Sequence, residues 1–293
     1  MMPARCLVGL IGANIMKSLS PALHEDAFAA AGIIGHYHLM DFDQLPGRRL
    51  DQLLAAVRQA GFAGVNVTFP VKQAILPLLD EVSADARQIG AVNTVKITES
   101  GTIGFNTDRS GFRRSCEEGL GRASVEGRAV ALIGAGGAGR AVAFAVMDLG
   151  AATVIVHDTN AQQAASLVAD VRSHFGATRC SVGSSSAGSM NDVAGVVNAT
   201  PVGMLGNSNV PLPLTALRAE HWVADVIYTP METRLIEAAR AKGCRVLTGG
   251  GMCVHQAADA FRHFTGLEPD VDRMHRTFAQ ALATRDRGLA STI

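Results

Sequence analysis

Polar side chains suited to acid–base chemistry lie in the first third of the chain, each just after a short apolar run. Asn66 and Thr68 share one face at the end of a β-branched run, and Lys72 falls on the first turn of the helix that we expect to follow. A lysine there opposes the helix dipole, which indicates a function other than helix stability. Asn93 and Asp108 follow two further runs. A pocket that gathers these donors and acceptors suits a polyhydroxylated acid as its ligand.

Lys72 and Asp108 together have the chemistry of a proton-transfer pair. The amine moves the proton, and a neighbouring carboxylate orients the amine. Two plainer interpretations stay open: Lys72 is an ordinary solvated lysine, and Asp108 is the N-cap of the helix that follows it.

Ser18 and Ser20 lie two residues apart, just before a helix that begins at Pro21. On an extended segment both hydroxyls point the same way, so both can donate to one small anion such as a carboxylate. Ser20 before a proline is also an ordinary N-cap position.

A glycine-rich turn separates an apolar run at Ala129–Ile133 from a helical pattern at Ala138–Leu149. Gly134, Gly136 and Gly139 fit the pattern G-x-G-x-x-G. The first glycine permits a tight turn, the second lets the backbone approach a pyrophosphate, and the third lets the helix pack closely on the strand. The helix N-terminus offers N–H groups to the phosphates. The turn predicts a dinucleotide site, with a simple strand–helix turn as the alternative.

Asp158 ends the next predicted strand, Thr153–His157, about 20 residues past the last glycine. A carboxylate there accepts hydrogen bonds from the ribose hydroxyls and repels a 2′-phosphate. No arginine or lysine occurs at 159–166 to neutralise such a phosphate. Asp158 therefore favours NAD over NADP, unless it is only a solvated residue at a strand end.

The elements that position these groups follow from the apolar patterns. In the first part we expect strands at Cys6–Ile11, His36–Asp41 and Val65–Thr68, a hairpin of Val92–Thr98 with Thr102–Phe105, and helices at Ser20–Ala31, Leu50–Ala60 and from Pro70 to Leu79. In the second part we expect strands at Ala129–Ile133, Thr153–His157, Arg179–Val182, Gly195–Asn198, Trp222–Val226 and Arg245–Leu247, and helices at Ala138–Leu149, Ala161–Phe175 and Thr233–Ala241. Ser184–Ser189 and Gly206–Pro213 are predicted loops.

These patterns predict an α/β protein. Residues 1–111 form a βαβ-type substrate domain, and residues 112–251 form a doubly wound, parallel-sheet Rossmann domain that binds the dinucleotide. Residues 252–293 are helical without a strand partner, and we expect these C-terminal helices to pack back on the first domain.

Composition excludes several other classes. The chain has 293 residues, room for about two domains, and its 26 basic residues balance 26 acidic ones, which argues against nucleic-acid binding. Five cysteines without a C-x-x-C pair favour a reducing, cytoplasmic compartment. We expect no membrane span and no signal peptide. We also expect no metal site, because the nine histidines lack the spacing of metal ligands.

In the order of these motifs the chain resembles the shikimate dehydrogenase family, most closely its NAD-using quinate/shikimate branch. The matching segments are Ser18–His24 (SLSPALH), Gly64–Lys72 (GVNVTFPVK), Gly90–Thr94 (GAVNT), Gly104–Asp108 (GFNTD), Gly134–Ala138 (GAGGA), Asn198–Met204 (NATPVGM), Asp225–Tyr228 (DVIY) and Gly249–Met252 (GGGM), followed by Gln256. The resemblance covers nearly the whole chain.

The resemblance implies reversible hydride transfer between C3 of shikimate and a nicotinamide, with Lys72 as the acid/base beside Asp108. Ser18, Ser20 and Tyr228 would hold the substrate carboxylate. The residues implied to hold ring hydroxyls are Asn66, Thr68, Asn93, Asp108 and Gln256. The residues implied to contact the cofactor are Gly134, Ala135, Gly136, Gly137, Ala138, Asp158, Asn198, Ala199, Thr200, Val226, Gly249 and Met252.

One departure from the family pattern bears on the cofactor. NADP-using members usually carry Asn-Arg-Thr after the second Rossmann strand, whereas this chain has His157-Asp158-Thr159. NAD is therefore the expected cofactor. The alternatives are an NADP-dependent biosynthetic shikimate dehydrogenase, a dehydrogenase of a related aminated ring, and a non-catalytic module that senses a dinucleotide or cyclic acid. Sequence does not distinguish shikimate from quinate as substrate, nor monomer from homodimer.

Overall fold

The computed structural model describes residues 4–183, 190 and 192–290, so the loop predicted at Ser184–Ser189 lies outside the described residues. The chain forms two compact units. The first unit comprises Met1–Thr107 with Val254–Ile293, and the second comprises Asp108–Cys253.

The first unit is built on one six-stranded sheet. Its elements up to Thr107 are β1 (Arg5–Gly12), α1 (Ser20–Ala30), β2 (Ile34–Asp41), α2 (Leu50–Gln59), β3 (Gly64–Val67), β4 (Glu81–Val82), α3 (Ala84–Ile89), β5 (Thr94–Thr98) and β6 (Gly101–Phe105). The strand order is β2-β1-β3-β5-β6-β4. β1 pairs in parallel with β2 and β3, as βαβ crossovers require, and the predicted hairpin β5–β6 is antiparallel.

The segment from Pro70 to Leu79 is not the helix that the sequence predicted. It forms hydrogen-bonded turns and one 3₁₀ turn at Leu76–Leu78. Pro77 lacks an N–H donor and its ring excludes a regular α-helix around it. A short helix, α3, follows instead. The Ser83 hydroxyl accepts a hydrogen bond from the Ala86 N–H, and Gly90 ends the helix in the left-handed region at φ 70°.

The second unit has the predicted doubly wound sheet. Its elements are α4 (Asp108–Gly119), β7 (Ala129–Ile133), α5 (Gly137–Asp148), β8 (Thr153–His157), α6 (Ala161–Phe175), β9 (Cys180–Val182), β10 (Gly195–Asn198), β11 (Trp222–Asp225), α7 (Arg234–Ala241) and β12 (Arg245–Leu247). The strand order is β12-β11-β10-β7-β8-β9, and every pair is parallel. The order reverses at β7, where such sheets bind their ligands.

Two helices end the described chain, α8 (Gly250–Thr265) and α9 (Val271–Ala290). Within the first unit α9 packs against α1, where the Arg273 guanidinium donates to both carboxylate oxygens of Asp26 at 2.8 and 2.7 Å. The Thr277 hydroxyl also donates to Asp26. Across the described helices, none combines the length and the apolar character that a bilayer span needs.

Candidate active site

The glycine-rich turn of the second unit has the geometry of a phosphate-binding loop. Gly134 lies in the left-handed region at φ 104°, which favours glycine. A Cβ at Gly139 would lie 1.9 Å from the carbonyl oxygen of Gly134, so the third glycine is needed for close packing. A Cβ at Gly136 would meet nothing within 4 Å. The turn therefore leaves open space before α5, whose first residues are Gly137 and Ala138, and it fits a pyrophosphate.

Asp158 lies beside this turn, just after β8. Its Oδ2 accepts a hydrogen bond from the Ala135 N–H at 2.6 Å, and its Oδ1 accepts one from the Asn160 N–H at 2.7 Å. The carboxylate is thus fixed against the glycine turn and keeps lone pairs for two ribose hydroxyls.

The N-terminus of α6, which follows Asp158, is capped by its own chain. The side-chain oxygen of Asn160 accepts hydrogen bonds from the N–H groups of Gln162 and Gln163 at 3.0 and 3.1 Å. A 2′-phosphate placed there would face the Asp158 carboxylate and find these amide donors already bonded. This arrangement fits NAD better than NADP.

Asn198 ends β10 and is fully buried. Its Nδ2 donates to the Val202 carbonyl and to Asp225 Oδ1, each at 3.0 Å. Its Oδ1 accepts hydrogen bonds from the N–H and the hydroxyl of Thr200 at 3.1 and 2.7 Å. Ala199 lies against the glycine turn, since a Cβ at Gly134 would be 2.8 Å from the Ala199 carbonyl oxygen. The structure therefore brings Asn198, Ala199 and Thr200 to the edge of the sheet that carries the glycine turn.

Gly249 and Val226 also lie together in this unit. A Cβ at Gly249 would approach the Val226 carbonyl oxygen to 2.4 Å, so only glycine fits there. Met252 is buried near the start of α8, and Tyr228 is half-buried.

Asn66, in the first unit, is buried at the centre of a neutral hydrogen-bond network. Its Oδ1 accepts a hydrogen bond from the Tyr37 hydroxyl at 2.9 Å. Its Nδ2 donates to Thr94 Oγ1 at 2.9 Å and to the Asn93 carbonyl at 3.2 Å. Both amide hydrogens are therefore used, and the remaining capacity of Asn66 is that of an acceptor.

Asn93 extends the same network along the strand ends. Its Nδ2 donates to Thr107 Oγ1 at 2.9 Å, and its Oδ1 accepts hydrogen bonds from the Thr107 N–H at 2.8 Å and from Thr94 Oγ1 at 3.0 Å. The structure thus connects Asn66 and Asn93, which the sequence placed in one pocket, through Thr94.

Lys72 and Thr68 lie in the segment after β3, and both are half-buried. Lys72 lies in a turn and not in an α-helix, so the argument that it opposes a helix dipole was wrong. The Lys72 carbonyl accepts a hydrogen bond from the Val92 N–H at 2.9 Å, and the Thr68 N–H donates to the Ile11 carbonyl at 3.0 Å. These backbone bonds attach the segment to β1 and to the connection between α3 and β5.

Ser18 and Ser20 flank Leu19, but the segment is not extended. Leu19 between them has helical angles, φ −89° and ψ −3°, and the Ser18 hydroxyl oxygen accepts a hydrogen bond from the Ser20 N–H at 3.2 Å. The same-face argument for their hydroxyls was therefore wrong, because the local turn and not strand geometry orients them. Gln256 lies half-buried on α8.

Two buried residues of the first unit, Tyr37 and His24, lie at this network and were not predicted as site residues from the sequence. Tyr37 is 2% exposed and donates to Asn66, and the His24 ring stacks on it with centroids 4.8 Å apart. Neither ring nitrogen of His24 has a hydrogen-bond partner among the described residues, and burial lowers the His24 pKa to about 3. The sequence does indicate that His24 is buried, since it precedes the core residue Phe28 by four positions and so lies on the same face of α1.

Asp108 is buried as the first residue of α4. The pairings predicted between the two units, Lys72 with Asp108 and Tyr228 with the serines, stay predictions.

Comparison with known proteins gives two matches to family profiles. Residues 10–95 match the shikimate dehydrogenase substrate binding domain, and residues 249–277 match the shikimate 5′-dehydrogenase C-terminal domain.

Full-length relatives carry both cofactor names. The quinate/shikimate dehydrogenase (NAD(+)) of Corynebacterium efficiens is 48% identical over 93% of this chain and 97% of its own length. The shikimate dehydrogenase (NADP(+)) of Streptomyces avermitilis is 45% identical over 95% of this chain and 96% of its own. Among solved structures, quinate dehydrogenase from Corynebacterium glutamicum in complex with NAD superposes with a TM-score of 0.84 at 44% identity, covering 94% of this chain and 99% of that one.

Proposed function

This chain belongs to the shikimate dehydrogenase family, and we propose that it is an NAD-dependent dehydrogenase of shikimate with quinate as a second substrate. The observation that carries the cofactor assignment is the Asp158 carboxylate, fixed by the Ala135 N–H against the glycine turn and followed by a capped helix. A carboxylate in that place accepts hydrogen bonds from a ribose diol and repels a phosphate.

The proposed reaction is the reversible oxidation of the C3 hydroxyl of shikimate. Bound NAD would supply the hydride acceptor for the oxidation of shikimate at C3, with 3-dehydroshikimate and NADH as the products. Lys72 takes the proton of the C3 hydroxyl in this direction and returns it in the other. Asp108 orients the Lys72 amine.

The substrate is held by polar groups of different kinds. Ser18, Ser20 and Tyr228 bind the carboxylate, and Thr68, Asn93 and Gln256 bind ring hydroxyls. Asn66 has a narrower role, because its amide hydrogens already bond Thr94 and Asn93. It therefore accepts a hydrogen bond from a substrate hydroxyl and does not donate one.

The domain roles follow from these assignments. The first unit, which includes α8 from Val254 onward and α9, supplies the substrate-binding residues other than Tyr228, and the second unit binds the dinucleotide. Thiols that form no disulfide support a reducing compartment such as the cytoplasm. No disulfide links any of the five cysteines, and four of them are buried. Burial raises the pKa of Cys116 to about 12 and that of Cys180 to about 11.

Absorbance at 340 nm tests the proposal. The wild-type chain with shikimate and NAD forms NADH, and Lys72→Ala does not. A chain that binds NADH and shikimate without turnover, and whose binding is unaffected by Lys72→Ala, is instead a sensor module. Turnover with NADP in preference to NAD supports the other family activity, which the Streptomyces avermitilis relative bears in its name.

A further inference from the structure

Asp225, at the end of β11, is a buried carboxylate that the proposed chemistry does not use. It is 2% exposed, and its oxygens accept three hydrogen bonds. Oδ1 accepts from Asn198 Nδ2 and from the Ile227 N–H, each at 3.0 Å, and Oδ2 accepts from the Thr233 hydroxyl at 2.8 Å. Burial raises the pKa of Asp225 to about 6, against the effect of the three donors. One side chain thus joins three segments of the second unit.

The first segment is the turn after β10. Asn198 uses all four of its side-chain hydrogen-bond positions, with Asp225 and Val202 as acceptors and the two donors of Thr200. Its amide has only one satisfactory orientation, because the acceptors lie on one side and the donors on the other. Asp225 therefore fixes the Asn198 amide, and through it the turn from Thr200 to Val202.

This turn forms one wall of the glycine-rich loop. A Cβ at Gly134 would lie 2.8 Å from the Ala199 carbonyl oxygen and 2.9 Å from Thr200 Cγ2. A shift of Ala199 and Thr200 changes the space beside the loop, even though the loop itself is held separately by Asp158.

The second segment runs from Val226 to Tyr228 and lies against Gly249. Asp225 Oδ1 holds the Ile227 N–H, and the Ile227 carbonyl accepts a hydrogen bond from the Gly249 N–H at 3.3 Å. A Cβ at Gly249 would lie 2.6 Å from that same carbonyl oxygen. The third segment is the start of α7, which Thr233 caps.

We infer that Asp225 is a positioning residue for the nicotinamide half of the dinucleotide site. Its Oδ1 holds the Asn198–Val202 turn and the Val226–Tyr228 segment in the arrangement that the nicotinamide ring contacts, while the adenosine half depends on Asp158 and the glycine turn. The inference rests on the proposed function, which supplies the dinucleotide.

Binding of two probes to the full chain tests this division. NADH contains both halves of the cofactor, whereas ADP-ribose lacks the nicotinamide. Asp225→Ala removes every acceptor, so we expect the Kd for NADH to rise about tenfold or more, the effect of one or two lost hydrogen bonds. The Kd for ADP-ribose changes less than about twofold, because its contacts do not pass through Asp225.

Asp225→Asn is the conservative variant. Its oxygen keeps both partners of Oδ1, and its amide donates to Thr233, so the Kd for NADH stays within about threefold of wild type. Glu232→Gln is the matched control, since it removes a carboxylate from the same segment that bonds only the surface residue Arg240 among the described residues. If Asp225→Ala does not fold, Asp225→Ser, which retains one acceptor, replaces it.

Equal weakening of NADH and ADP-ribose binding overturns the inference, as does an Asn variant as weak as the Ala variant or an Ala variant that binds NADH normally. Failure of the proposed function is distinct, because it appears in wild type as absence of turnover with both shikimate and quinate. A wild-type chain that binds neither probe overturns both.

Discussion

Each unit holds a buried asparagine at or next to the last residue of a strand, and the two side chains are fixed by different chemistry. Asn66 on β3 is held by the Tyr37 and Thr94 hydroxyls and a backbone carbonyl, all neutral groups. Asn198 on β10 is held by the Asp225 carboxylate as well as by Thr200 and Val202. Among these described bonds, the polar network of the second unit therefore contains a buried carboxylate, whereas the groups that bond Asn66 are uncharged at neutral pH.

The first unit has a buried histidine beside its network. His24 stacks on Tyr37 without a hydrogen bond from either ring nitrogen to any described residue, and burial lowers its pKa to about 3. Burial raises the pKa of Asp225 to about 6. Desolvation favours the neutral form in both cases, so the two units respond to pH in opposite directions.

The largest expected effect is a loss of turnover that leaves the affinity for NADH unchanged. Lys72→Ala removes the group that we propose moves the proton, so kcat falls about a thousandfold. The Kd for NADH stays within about twofold, because in the proposed function the dinucleotide binds to the second unit and Lys72 belongs to the first. Stopped-flow turnover and NADH fluorescence measure the two quantities. An equal loss of NADH affinity would contradict the proposal that proton transfer and dinucleotide binding belong to different units.

The stability of the second unit should depend on Asp225 in a defined pH window. The pKa of Asp225 is about 6 in the folded chain against an ordinary value of 3.8, so its contribution is present below pH 4 and is lost as pH rises through 6. The loss amounts to about 3 kcal/mol at 1.4 kcal/mol per pKa unit. In Asp225→Asn this pH dependence of the free energy of unfolding is absent. Hydrogen exchange of the second unit at pH 4 to 8 measures it, with Glu232→Gln as the control.

The first unit should show the opposite slope. The pKa of His24 is about 3 in the folded chain against an ordinary 6.5, so its contribution is present above pH 6.5 and is lost as pH falls toward 3. His24→Leu has similar volume and cannot take up a proton. Its free energy of unfolding should gain on that of wild type as pH falls, and hydrogen exchange of the first unit measures the gain. Parallel pH profiles for the two proteins contradict this prediction.

Substitution of Asp158 tests the proposed preference for NAD over NADP. Asp158→Asn keeps the shape but removes the charge that strengthens ribose hydrogen bonds, so kcat/KM for NAD falls about thirtyfold and the preference against NADP shrinks. The KM for shikimate stays unchanged. Steady-state kinetics with both cofactors, again beside Glu232→Gln, is the measurement, and an undiminished preference for NAD would remove Asp158 from the account.

The smallest expected effect comes from the neutral network. Tyr37→Phe deletes one buried hydroxyl and leaves one lone pair of Asn66 unbonded, which destabilises the first unit by about 1 kcal/mol. The KM for shikimate rises about fivefold as Asn66 loses its orientation, and the Kd for NADH is unchanged. Calorimetry and kinetics record the two effects. A rise in the NADH Kd would show that the network of the first unit reaches the cofactor.

The second unit was largely readable from sequence because its signals are local. Buried parallel strands such as β7 and β8 are continuous apolar runs, and the predicted bounds of both equal the observed ones. Glycines mark the turn between β7 and α5. The cofactor-side carboxylate Asp158 is found by counting residues from those glycines.

The segment around Lys72 was not readable because local signals conflicted there. Apolar residues from Val71 to Leu79 repeat as in a helix, and they do pack in the core around Ile75. Pro77 interrupts the helix, and the two-residue strand β4 is too short to leave a pattern. Lys72 was therefore identified as a candidate catalytic residue from its place in a motif, while the helix predicted around it was wrong.

The hydrogen-bond networks lie beyond sequence reasoning for a different reason. Tyr37 and Asn66 are on strands separated by β1, and their contact depends on the registers that pair Val8 with Tyr37 and Leu10 with Asn66. Asp225 was part of a recognised motif, yet its role depends on where Asn198 and Thr233 lie in three dimensions. Such contacts are tertiary, and no spacing rule predicts them.

Oxidation of shikimate by this chain with NAD can be measured in one four-way steady-state comparison. Shikimate and quinate are each assayed with NAD and with NADP, and kcat/KM is compared across the four pairs. We expect kcat/KM with shikimate to be at least about a hundredfold higher for NAD than for NADP, from lost ribose hydrogen bonds and repulsion by Asp158, and turnover of quinate with NAD. Higher kcat/KM with NADP, or no turnover of either acid, would contradict the account.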